Sequence, residues 1–147
     1  MFEDSITIFN KKYDPSIRDY EYIRTYIIGV NVDKKKAVNV IKSGLENASS
    51  GTIIIPIEDL ESEDKEYISP KKYQNLSSEE VKKHFTFQEG DIVVIGEIDY
   101  NINKENTITT LKKNYDDVFE IISVDDKLKG GLPHWEIALV WYSFMVS

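Results

Sequence analysis

The chain contains no cysteine. Disulfides, cysteine-ligated zinc sites and cysteine nucleophiles are therefore excluded, and the composition fits a reducing cytosol. Arginine is scarce, at Arg18 and Arg24 only, and 26 acidic side chains face 18 basic ones, for a net charge of −8. Proteins that hold nucleic acid through its phosphates gather lysine and arginine on one face. Sequence-reading nucleic-acid binding is thus not expected, and an acidic surface would instead keep DNA from sticking. Long hydrophobic runs are missing too. The nearest case, the closing "IALVWYSFMVS", is too short to cross a bilayer and reads as a terminal strand. The opening "MFEDSITIFN" has no basic segment followed by an apolar run, so neither a secretion signal nor a membrane role is expected.

What is present favours strands. The 147 residues suffice for one domain with a core, and no repeat, linker or low-complexity tract divides residues 1–147. Isoleucine, valine, tyrosine and phenylalanine are frequent, as in sheets. Ser5–Asn10 alternates Ile6 and Ile8 with polar neighbours, and an Asp-Pro turn follows. Glu21–Val32 reads as a long strand, with Gly29 marking a bulge or a close approach. Asp33–Gly51 reads as a long loop, or a loop with a short strand or helix around Val38–Ile41. Thr52–Ile57 is a buried strand ending near Pro56. Ser77 and Glu80 have the spacing of a capping box, which predicts a short helix over Ser78–His84. "FTFQEGDIVVIGEIDY", from Phe85 to Tyr100, turns at Gly90 into a strand over Asp91–Tyr100, with Gly96 where it must bend. A helical turn fits Thr110–Asn114. Val118–Val124 and a strand opening near His134 complete the pattern. The reading is a mainly β, small antiparallel β-barrel of about six strands, with long loops and one short helix.

No catalytic motif stands out. Ser49-Ser50-Gly51 lacks the flanking glycine pattern of a nucleophile elbow. Gly130-Gly131 lacks the Gly-Lys-Ser/Thr of a phosphate loop. Asp116-Asp117 and Asp125-Asp126 lack the periodicity of a calcium loop. His84 falls at a helix end, where a cationic group is favourable in any case, and His134 opens a strand, so both are read as structural. Neither an enzyme nor a cofactor is expected. Lys34-Lys35-Lys36, read at the tip of the first long loop, is the most basic spot. It suits either a solvated tip or contact with phosphate or an acidic partner. Trp135, Ile137, Leu139 and Trp141 form a core stripe. The apolar Phe144-Met145-Val146 after it suits a protein partner.

The ordered set "SITIFNKKYD", "YIRTYIIGVNV", "ISPKKY", "FTFQEGDIVVIGEID", "VFEIISVDD" and "PHWEI" resembles the minor capsid or head–tail connector proteins of tailed phages and prophages of Gram-positive bacteria. The resemblance runs from about Ile6 to Ile137. It is carried by Tyr22 and Arg24-Thr25, by Phe85 to Asp91, and by His134-Trp135. Related chains finish with a short glycine-rich, basic tail; here "LVWYSFMVS" is apolar. The resemblance implies a structural virion protein of the neck. Such a subunit of a sixfold or twelvefold homo-oligomeric ring seals the DNA exit below the portal and adaptor, as a stopper or head-closure ring, and docks the tail. Partners would be the portal or adaptor ring, tail-terminator or tail-tube proteins, and double-stranded DNA passing the lumen without sequence recognition. The chain would reside in the virion neck and, during assembly, in the host cytoplasm. By this analogy the Asp33–Gly51 loop lines the channel, with Lys34, Lys35, Lys36, Asn39 and Lys42 near DNA. Trp141, Tyr142, Phe144, Met145 and Val146 form a partner interface. Two alternatives stay open: a tail-terminator or tail-completion ring, and a cytosolic barrel that binds a ligand or peptide.

Overall fold

The computed structural model describes residues 3–36, 49–58, 60–129 and 131–141. In chain order the elements are β1 (Asp4–Asp14), β2 (Asp19–Lys36), β3 (Ser49–Pro56), β4 (Glu66–Tyr67), α1 (Pro70–Gln74), a 3₁₀ turn (Glu80–Lys83), β5 (His84–Phe85), β6 (Ile92–Ile95), α2 (Ile108–Asn114), β7 (Val118–Lys127) and β8 (His134–Trp141). Six strands pair antiparallel in the order β1-β2-β3-β8-β7-β6, and β6 returns to β1, closing the ring into a barrel. Closure gives each of these six strands a hydrogen-bonded neighbour on both sides, which removes the sheet ends that invite aggregation. β4 and β5 form a separate two-residue parallel ladder.

Alternation divides the buried apolar side chains of β1, β6 and β7 between two cores, while those of β2, β3 and β8 face the first alone. Ile6, Ile8, Ile27, Val30, Ile53, Ile55, Val93, Phe119, Ile121, Ile137 and Leu139 belong to one buried cluster, the barrel interior. Phe9, Ile92, Val94 and Val118, on the opposite faces of the same strands, join Ile102 and Leu111 in a second. The second cluster exists because the segment after β6 packs α2 against the outside of β1, β6 and β7. Strands covered on both faces read as continuous apolar runs, which is why "DIVVIG" does not alternate.

Two glycines shape the ring. Gly29 has φ 99° and is the extra residue where the β1–β2 register steps from Asp4↔Val30 to Ser5↔Ile28, a bulge of the kind the sequence suggested. Gly96, at φ 94°, follows the last residue of β6, Ile95, so the strand ends five residues before the Tyr100 expected from the sequence. Its N–H donates to the Ser5 carbonyl (2.8 Å). The Thr7 hydroxyl donates to the Gly96 carbonyl (2.7 Å) and accepts from the Ile98 N–H (3.1 Å). The backbone is thereby turned off the sheet and onto the outer face.

The capping-box segment forms one 3₁₀ turn, with the Ser77 hydroxyl accepting from the Glu80 N–H (3.1 Å). The turn near Thr110 is the helix α2, capped by the Thr107 hydroxyl. Helix α1 has a proline in its first turn, a favoured position.

Candidate functional site

The two segments singled out in the sequence come together at one end of the barrel. β2 continues past Val32 to Lys36, so Lys34, Lys35 and Lys36 are not at a loop tip. They are ladder residues opposite Gly51, Ser50 and Ser49. Alternating apolar residues stop at Val32, but the register does not need them, since β3 supplies the hydrogen-bonding partner. On the β1 side the ladder ends at Asp4, whose carboxylate accepts from the Val32 N–H (2.9 Å). Ser50 also pairs with Val140 in β8, next to Trp141, which stands opposite Phe119. The lysine row and the end of β8 thus flank β3 at the same mouth. Asn39, Lys42, Tyr142, Phe144, Met145 and Val146 lie outside the described residues. Of the expected core stripe, Trp135, Ile137 and Leu139 point into the barrel and are at most 6 % exposed, while Ala138 and Val140 on the other face are partly exposed.

The opposite mouth is closed by the chain between β3 and β6. Tyr67 and Phe87 pack against Trp135, with ring centroids 4.7 and 5.2 Å away, and Phe85 stands 5.5 Å from Phe87. These rings pack into the barrel core at that end, so an aromatic plug stands where an open ligand-binding barrel would have its cavity. The Trp135 Nε1 has no hydrogen-bond partner among the described residues. Alongside, the 60–65 stretch covers β2 where β3 does not reach. Ile28 and Glu61 exchange backbone hydrogen bonds (2.8 and 3.1 Å), Glu63 accepts from the Tyr26 N–H, and the Lys65 ammonium donates to the Arg24 carbonyl and the Thr25 hydroxyl (2.8 Å each). Burial lowers the Lys65 pKa.

A buried polar network, unforeseen from the sequence, fastens the plug to the barrel. The Asp91 carboxylate accepts from Asn10 Nδ2 (2.8 Å), from Gln88 Nε2 (2.9 and 3.1 Å) and from the Lys11 N–H (3.0 Å). Asn10 also bridges both backbone groups of Thr86, donating to its carbonyl (2.7 Å) and accepting from its N–H (3.2 Å). Gln74 and Gln88 both donate to the Lys11 carbonyl (2.9 and 3.1 Å). Asp91 is 1 % exposed. Burial raises its pKa to about 7, against the opposing pull of its Gln88, Asn10 and Lys11 hydrogen bonds. Burial, then the nearby Asp91 and Glu21, also raises the Tyr73 pKa. The only signal in the sequence was an asparagine ending one apolar strand and an aspartate opening another, a pattern shared by ordinary turns.

The remaining candidates have local partners. His84 Nδ1 lies 2.9 Å from the Glu80 carbonyl, and His134 lies 2.8 Å from the Leu132 carbonyl and 3.3 Å from Glu136. Among the described residues no group of three or more acidic or histidine side chains could hold a metal ion, and no helix is long and apolar enough to cross a membrane. Residues 1–139 match the model of a family of unknown function, DUF6751. No curated protein and no solved structure matches the chain.

Proposed function

The chain belongs to that family of unknown function, and we propose that it is a non-enzymatic structural protein of a tailed-phage particle, a head–tail connector subunit of the stopper or head-closure type. The observation that carries this reading is the closed six-stranded ring whose β2–β3 ladder runs, with three consecutive lysines, past the start of β1 at one mouth. A ring subunit needs a stiff body, large excursions to reach its neighbours, and a lumen that releases DNA. The double core supplies stiffness, the connections between strands supply the excursions, and a net charge of −8 disfavours lasting contact with phosphate. The residue-level likeness to connector proteins, from Ile6 to Ile137, supports the same reading. The aromatic plug weighs against the cytosolic ligand-binding barrel. The end of β8, at the same mouth as the lysine ladder, would meet the portal, adaptor or tail.

Mass spectrometry of purified particles from an induced lysogen tests this. The chain should be present in fixed proportion to the portal protein; particles free of it would overturn the reading. The channel role of the ladder has its own test. Replacing Lys34, Lys35 and Lys36 together by alanine should lower the fraction of DNA-filled particles. Unchanged DNA retention and yield would remove the lysines from the channel.

A further inference from the structure

Two exposed apolar features turn at the same end of the barrel, the end of the aromatic plug. One is the β7–β8 turn, where Leu132 is 62 % exposed and Leu128 39 %, joined by Ile57 at 42 %. The Ile57 N–H donates to the Pro133 carbonyl (3.2 Å), which ties the start of β8 to the end of β3. The other is a groove of about 410 Å³ between the β1–β2 turn and the 102–105 stretch, lined by Ile17, Glu21, Ile102, Asn103, Lys104 and Glu105. Ile17, 52 % exposed, is also fixed. Its N–H donates to the Asp14 carbonyl (3.2 Å), and the Asp14 carboxylate accepts from the Ser16 N–H and hydroxyl (3.0 and 2.7 Å).

The strand order β1-β2-β3-β8-β7-β6 puts the β1–β2 hairpin across the ring from the β7–β8 hairpin. A knob on one side and a groove on the opposite side of the same end make a head-to-tail contact, which repeats from copy to copy and closes if the rotation allows. The charges suit this arrangement. The turn from Lys127 to Leu132 carries Lys127 and Lys129 and no carboxylate, with Lys127 held by Glu136 (3.3 Å) and Asp125 (4.0 Å) and Lys129 exposed. The groove side carries Asp19, Glu21 and Glu105 against Arg18 and Lys104.

We infer that the Leu132 turn of one copy docks in the Ile17–Ile102 groove of a second copy of this chain. This deepens the ring reading and rests on it. Ile17 and Pro133 are hydrogen-bonded in place before contact, which lessens the ordering that association needs.

The absence of native cysteine gives a clean test. The double variant Ile17→Cys/Leu132→Cys, concentrated and treated with a short bis-maleimide, should give a ladder of covalent trimers and larger species. Either single variant, with one thiol per chain, can go no further than a dimer. The pair Ile122→Cys/Leu132→Cys is the control, since Ile122 is 52 % exposed in β7, away from the groove. All three positions are exposed, so the fold is retained. A double variant that stops at monomers and dimers overturns the contact, as does a control pair that ladders equally. Either failure leaves the connector reading to the particle composition described above. Particles lacking the protein would sink that reading whatever the ladder shows.

Discussion

At the scale of single residues, Asp91 carries more of the structure than its place in a turn suggested. Its partners are all N–H donors, which suits an ionised carboxylate, yet burial works against the charge. Asp91→Ala leaves the Lys11 N–H, and part of the Asn10 and Gln88 amides, without an acceptor. At about 1–3 kcal/mol per stranded group, the loss should be about 2–4 kcal/mol, read from urea unfolding. The raised pKa adds a pH dependence. Between about pH 4 and 7 the folded chain keeps a proton that the unfolded chain, with an ordinary carboxylate, has released. This group's contribution to stability therefore falls as pH rises through that window and is constant above it. Comparing unfolding free energies at pH 5 and 7, Asp91→Asn should remove this downward component from the wild-type profile. Parallel profiles for the two proteins would contradict a raised pKa at Asp91.

At the scale of elements, the backbone at Gly96 decides where β6 stops. A methyl group there would meet nothing within 4 Å, but φ is +94°, so Gly96→Ala costs backbone strain alone, about 1–2 kcal/mol. Gly131 is equally open, with no positive φ, and Gly131→Ala should change stability by less than about 0.5 kcal/mol. Thermal unfolding of the pair separates conformation from packing. Leu111, the fully buried residue of α2, anchors the outer layer. Leu111→Ala should cost about 2–5 kcal/mol and raise amide exchange over α2 before that of the barrel strands. Much of this level was legible in the chain. Ile6 and Ile8, Thr52–Ile57, Val118–Val124 and the stripe Trp135–Leu139 alternate or run apolar over strand lengths, and all are strands except Ile57, which follows the end of β3 at Pro56. The capping box of Ser77 and Glu80 located its helical turn. Less legible were boundaries set by distant partners. β2 reaches Lys36 because β3 hydrogen-bonds to it, and β6 ends at Ile95 because Ser5 and Thr7 draw Gly96 off the sheet. Neither the outer core under α2 nor the Asn10–Asp91 network left a local pattern, since both depend on segments about 80 residues apart.

For the whole molecule, the ring of strands separates two working ends. One mouth is plugged by Tyr67, Phe85, Phe87 and Trp135 and flanked by the knob and groove; the other carries the lysine ladder and the end of β8. The proposed neck role assigns these ends different partners, copies of the chain at one and portal or tail components at the other. The most direct measurement is electron microscopy of particles from a strain lacking this gene. Head closure predicts finished tails beside emptied, tailless heads, restored when the gene is supplied on a plasmid. DNA-filled heads beside tails of irregular length would move the protein to the tail terminus, and normal infectious particles would contradict a structural role in the virion altogether.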